Sequence, residues 1–65
     1  MDALTVKEAA LYLKVSTAFI NNLRAKGQGP RFLRLGNRIR YIREDLNTWM
    51  LTQVVTPKAP KKEKA

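Results

Sequence analysis

The sequence predicts a mostly α-helical domain carrying one small β-hairpin, and three observations lead there. Two capped segments of helical periodicity follow one another with a short break. A Gly36-Asn37 joint separates two apolar runs that nearly alternate, and the acidic pair Glu44-Asp45 opens a third helical segment.

The first helix begins at Thr5-Val6-Lys7-Glu8, a capping box in which the Thr5 hydroxyl accepts from the Glu8 N–H and the Glu8 carboxylate reaches back to the Thr5 N–H. Leu4 staples onto that turn, and Val6, Ala9, Ala10 and Leu13 recur at helical spacing, so the helix is read as Val6 to Leu13. After the Lys14-Val15 break, Ser16 is a second N-cap. Ile20 and Leu23, with Phe19, give the next helix its apolar side, and Gly27 closes it in the left-handed region. So tight a joint predicts a helix-turn-helix corner rather than an antiparallel pair. Gln28-Gly29-Pro30 breaks the chain. The runs 31–35 and 38–42 then form two strands, with Gly36-Asn37 as a turn of II′ or I′ type. Leu33 and Leu35 share one face of the first strand and Ile39 and Tyr41 one face of the second. On this reading Arg34, Arg38 and Arg40 all point away from the core. Leu46, Trp49 and Met50 form the stripe of the third helix, with Trp49 expected to be the largest single contributor to the core. Two regions result: a folded domain over 1–53 and a disordered Pro- and Lys-rich tail over 54–65.

Charge narrows the function. The net charge is +8, and between Glu8 and Glu44 stand eight Lys or Arg residues (Lys14, Arg24, Lys26, Arg31, Arg34, Arg38, Arg40, Arg43) with no acid among them. Apolar residues are threaded through that stretch, so the charge sits on a folded surface that calls for a polyanion. The chain has no His and no Cys, which removes the commonest general base, thiolate nucleophiles, disulfides and the usual zinc ligands. The Glu44-Asp45 pair is explained by the helix start, so no enzyme, cofactor or metal is expected. No apolar run reaches the length of a membrane span and no signal peptide is read, which leads to an expectation of a cytoplasmic protein, nucleoid-associated through DNA.

Helix, turn, recognition helix, two-stranded wing and third helix make a winged helix-turn-helix. The helix that starts at Ser16 carries Thr17, Ala18, Asn21 and Asn22 opposite Ile20 and Leu23, toward base edges in a major groove. Asn pairs bidentately with adenine, and the Thr methyl or Ala Cβ meets a thymine methyl. Arg24 and Lys26 suit phosphates. In the wing, Arg34, Asn37, Arg38 and Arg40 are the DNA-facing candidates. The narrow Gly36-Asn37-Arg38 tip fits a minor groove, with Arg38 either reading that groove or clamping a phosphate. The bland alternatives are a solubilising basic face, solvated asparagines and a nonspecific basic arm at the C-terminus. Phe19 either completes the core or projects toward DNA or a partner.

These residues resemble the small MerR-like helix-turn-helix domains of the excisionase (recombination directionality factor) type. The likeness runs through Leu4-Thr5-Val6-Lys7-Glu8-Ala9-Ala10, Leu13, Val15-Ser16, Ile20, Leu23, Gly29-Pro30, Leu35-Gly36-Asn37-Arg38-Ile39-Arg40-Tyr41 and Asp45-Leu46-Asn47-Thr48-Trp49-Met50, over roughly residues 4 to 51. It implies a phage or mobile-element protein that binds and bends double-stranded DNA near an attachment site and directs a site-specific integrase, a tyrosine recombinase, toward excision. A small transcriptional regulator on the same domain is the alternative, and a protein-interaction module with an acidic partner a third. The resemblance implies cooperative binding to repeated sites along DNA; the chain itself is expected to be a monomer in solution that associates along DNA, with no membrane and no small-molecule effector. Phe19, Asn21 and Asn22 depart from the family's more frequent residues at the start of the recognition helix, so the base preference is not carried by the likeness.

Overall fold

A computed structural model describes residues 3–57 and has the order β1 (Ala3–Leu4), α1 (Val6–Leu13), α2 (Thr17–Ala25), β2 (Leu33–Leu35), β3 (Arg38–Ile42) and α3 (Arg43–Thr52). The helices and the hairpin stand where the sequence predicts, with β2 shorter than the expected run 31–35, and the whole is a winged helix-turn-helix. The Thr5 capping box is closed in both directions, Thr5 N–H to Glu8 Oε1 at 2.9 Å and Glu8 N–H to Thr5 Oγ1 at 3.0 Å. Ser16 Oγ accepts from the Phe19 N–H at 3.0 Å and starts α2. Such caps matter because helices of eight and nine residues are too short to persist on propensity alone.

α1 and α2 each end on a left-handed residue. Gly27, at φ 72°, ends α2, with Gly27 N–H bonded to Arg24 O at 3.0 Å and Gln28 N–H to Leu23 O at 2.8 Å, the paired bonds of a Schellman motif. α1 ends the same way, with Val15 N–H on Ala10 O at 3.0 Å, but there the left-handed position is Lys14, at φ 60°. A side chain with a Cβ is strained at that angle. The tight α1–α2 corner therefore holds against a local cost.

The sheet is three-stranded and antiparallel, in the order β1-β3-β2. The third strand is an addition to the two expected. Ala3 and Leu4 pair with Ile42 and Tyr41, so the residues before the cap complete an edge as well as a staple. In the hairpin, Leu35 pairs with Arg38, Arg34 with Ile39 and Leu33 with Arg40. Gly36 takes φ 66° while Asn37 keeps a negative φ, the sign pattern of a II′ turn.

That register corrects the expected faces. Residues directly opposite in an antiparallel pair point to the same side. Arg34 therefore shares the face of Ile39 and Tyr41, while Arg38 and Arg40 share the other face with Leu33 and Leu35. Leu35 is accordingly 55% exposed rather than buried.

The core is Ala9, Ala10, Ile20, Tyr41 and Leu46, with Leu4, Val6, Leu13, Val15 and Ile39 packed around it. Trp49 is not in it, against the expectation, and Met50 is 37% exposed. Leu46 takes the inward position of α3. One turn on, Trp49 lies half-buried at the rim, lining a hollow with Pro30, Arg31, Asp45, Thr48 and Thr52. Tyr41 is the largest fully buried side chain. The tail expected over 54–65 lies outside the described residues from position 58 on, and residues 54–57 adopt neither helix nor strand.

Two stability changes follow. In urea unfolding, Leu46→Ala loses about 2–5 kcal/mol, because a fully buried side chain is removed from a small core. Lys14→Gly gains roughly 0.5–1 kcal/mol by relieving the left-handed strain, net of added freedom in the unfolded chain.

Candidate nucleic-acid interface

α2 positions its side chains through one buried anchor. Ile20 is 1% exposed and fixes which side faces the core. At 100° per residue, Ala18, Asn21, Asn22 and Ala25 then fall on the opposite side, and all four are exposed, as is Thr17. Asn21 lies on the flank beside the hairpin and Asn22 on the flank away from it. Phe19 is 45% exposed and stands outside the core cluster, so it does not complete the core. The Ser16 hydroxyl is occupied as an acceptor in the cap, and Lys26 sits exposed where α2 ends.

Arg24 is the best-held polar side chain of the surface. One terminal nitrogen, Nη1, donates to the buried Tyr41 hydroxyl at 3.1 Å, and Nη2 donates to Asn21 Oδ1 at 2.9 Å. Its guanidinium carbon lies 5.9 Å from the centre of the Phe32 ring. Arg34 approaches the same ring at 5.8 Å, and Phe32 itself meets Tyr41 at a centroid distance of 6.1 Å. The ring thus joins an arginine of α2 to an arginine of the hairpin. Guanidinium–aromatic contacts of this kind contribute about 0.5–1 kcal/mol each at exposed sites, so their chief effect is to orient.

The structure brings some of the expected residues together and separates others. Arg24 and Arg34 meet around Phe32 on the face of the hairpin that looks toward α2, and Asn21 is joined to them through Arg24. Arg38 and Arg40 lie on the reverse face, so the arginines do not all converge on one side as the separate strand patterns imply. Arg40 is half-buried and donates to its neighbour's carbonyl, Ile39 O, at 2.8 Å. Arg38 and Asn37 are exposed at the turn, where either face of a thin ribbon is accessible. Arg31 is directed toward Asp45 at 3.9 Å with 87% of its side chain exposed. Phe32 is the residue the sequence reading passed over. The signal for it was present, because continuing the hairpin register by one pair places Phe32 opposite Tyr41.

A two-helix corner with a capped, polar-faced second helix and an arginine-bearing ribbon beside it defines a helix-turn-helix DNA-binding protein. Residues 3–54 match the family model described as "Helix-turn-helix domain", and the chain belongs to that family, a DNA-binding domain also found in excisionase-like proteins. No curated protein matched the chain. Among the described residues, no helix is long and apolar enough to cross a membrane.

The Tyr41 hydroxyl can be tested alone. Tyr41→Phe keeps the ring in the core and removes the acceptor that receives Arg24. Urea unfolding is expected to show a loss of about 0.5–1.5 kcal/mol, with the fold retained by circular dichroism.

Proposed function

We propose that the chain is a sequence-specific double-stranded DNA-binding protein of a phage or mobile element, acting as a MerR-like excisionase. It binds and bends DNA near an attachment site, and so directs a tyrosine-recombinase integrase toward excision while performing no chemistry itself. The observation that carries the reading is the exposed polar face of α2, Thr17, Ala18, Asn21 and Asn22, set beside a narrow ribbon whose turn offers Asn37 and Arg38. In this reading α2 lies in the major groove with its asparagines at base edges, and Ser16, Arg24, Lys26 and Arg34 meet the backbone. The ribbon tip enters the neighbouring minor groove. Insertion there favours DNA whose groove is narrow or easily deformed, which couples binding to bending. The residues shared with excisionase-type domains over roughly 4 to 51 support the role in recombination. Copies associate on adjacent sites rather than as a preformed dimer.

The role is tested by capturing fragments of the source genome on the full chain and sequencing them. Fragments from the flanks of an integrase gene, shifted by circular-permutation gel assay as bent complexes, are the expected result. Capture of a promoter alone, without bending, assigns the domain to transcriptional regulation instead.

Binding itself carries an electrostatic signature. The logarithm of affinity falls linearly with the logarithm of salt concentration, by about 0.9 per phosphate contacted. Arg38→Ala is expected to reduce that slope by about 1 and to weaken binding most where the minor groove under the ribbon tip is narrow, whereas Asn22→Ala relaxes the preference at one base pair of the major groove and leaves the slope unchanged. Titrated gel shifts at several salt concentrations measure both.

A further inference from the structure

Two arginines share one aromatic ring at the seam between α2 and the ribbon. The guanidinium carbons of Arg24 and Arg34 lie 5.9 and 5.8 Å from the centre of Phe32, so the two cations stand within two such distances of each other. Like charges held this close repel, and the usual relief is a carboxylate between them. None is there. Among the described residues neither arginine forms an ion pair, and the acid nearest a cation is Asp45, beside Arg31. The Phe32 ring is 36% exposed, a large apolar group at the surface, and it is braced on the buried Tyr41 ring. The two arginines are held unequally. Arg24 donates from Nη1 to the Tyr41 hydroxyl and from Nη2 to Asn21 Oδ1, so it keeps its place without Phe32, and it has more N–H groups than these two bonds use. Arg34 is exposed, and among the described residues the contact that holds it is the Phe32 ring.

We propose that Phe32 is a positioning residue that holds the Arg34 guanidinium beside the anchored Arg24, so that the pair forms one site for the phosphodiester backbone of a DNA strand. The inference rests on the reading that α2 and the ribbon tip occupy neighbouring grooves, because the strand that separates two grooves is what crosses their seam. The choice of an aromatic ring has a physical reason. A carboxylate would also orient an arginine, but it would neutralise the charge that the backbone needs. A ring orients a guanidinium through that charge and leaves it uncompensated. A phosphodiester fits by chemistry, since it is an anion offering only acceptors, and guanidiniums offer only donors. It also removes the repulsion between the two arginines, which nothing among the described residues does. Phe32 acts through Arg34 and carries no charge of its own.

Salt-titrated gel shifts on one duplex test this. They compare the full chain as wild type, Arg34→Ala, Phe32→Leu, Phe32→Tyr and the double variant Phe32→Leu with Arg34→Ala, each checked for folding by circular dichroism. Arg34→Ala should lower the slope of log affinity against log salt by about 0.9, the value of one phosphate contact. Phe32→Leu removes no charge, yet it should lower the slope by at least about half as much and the affinity about two- to fivefold. Phe32→Tyr keeps a ring and should bind as the wild type does. The double variant should bind no more weakly than Arg34→Ala alone, because the ring acts through that arginine. A wild-type slope in Phe32→Leu, or additive losses in the double variant, overturns the proposal. Phe32→Met replaces Phe32→Leu if the latter does not fold, with the same expectations. Side-chain NMR of the free protein separates the positioning from the DNA reading. The Arg34 Nε–H signal should move on Phe32→Leu and stay near its wild-type place in Phe32→Tyr, while that of Arg38 is unchanged in both. An unmoved Arg34 signal in Phe32→Leu overturns the positioning role even where DNA is bound. A moved signal in a protein that binds no duplex at low salt overturns the DNA reading of α2 and the ribbon, and the phosphate site with it, while the contact between ring and arginine stands.

Discussion

The structure depends on Tyr41 being buried by its ring and partnered at its oxygen. β3 is the central strand, so Tyr41 lies opposite Leu4 of β1 and beneath the core residues Ile20 and Leu46 of two different helices. A phenol taken out of water with an unsatisfied hydroxyl would cost a few kcal/mol, and Arg24 of α2 removes that cost by donating to it. One side chain thereby serves the core and ties α2 to the ribbon. Phe32 extends the link outward to Arg34, and the polar surface is built directly on the largest buried ring.

A chain of 65 residues cannot rely on a large core, and this one shows what takes its place. Among the described residues, five side chains make up the buried hydrophobic cluster. The rest is local: a reciprocal cap at Thr5, a cap at Ser16, a Schellman closure at Gly27 and a tight II′ turn at Gly36. These devices specify where elements begin and end, and two of them bracket α2. The tight α1–α2 corner is held despite the cost at Lys14, and a lysine there adds to the basic surface in a place where glycine would be the relaxed choice.

Most of this was legible in the residues themselves. Capping chemistry is local, so Thr5, Glu8, Ser16 and Gly27 could be placed from neighbours within a few positions. The outward face of α2 followed from the helical repeat once Ile20 and Leu23 were set inward. What was misread involves pairing across the chain. Alternation within each strand correctly groups Leu33 with Leu35 and Ile39 with Tyr41, but only the turn-fixed register says that these groups occupy opposite faces. Carrying the register outward from Gly36-Asn37 would have put Arg34 beside Ile39 and Phe32 beside Tyr41. Ala3–Leu4 is too short to show any period, so β1 was invisible without its partner. Trp49 was misplaced because size and hydrophobicity report how much a residue gains by burial, not whether its helix turns it inward. Leu46 holds the inward position and Trp49 the rim.

The central claim is that α2 and the facing side of the ribbon, tied through Tyr41, Arg24 and Phe32, form one surface for a double helix. Backbone amide NMR of the full chain titrated with duplex DNA at low salt tests it most directly. The account predicts that the largest changes fall on residues 17–26 and 32–38, and that the outer faces of α1 and α3, around Leu11 and Leu51, stay unchanged. Changes centred on Leu11 and Leu51, or none at all with excess duplex, would contradict it.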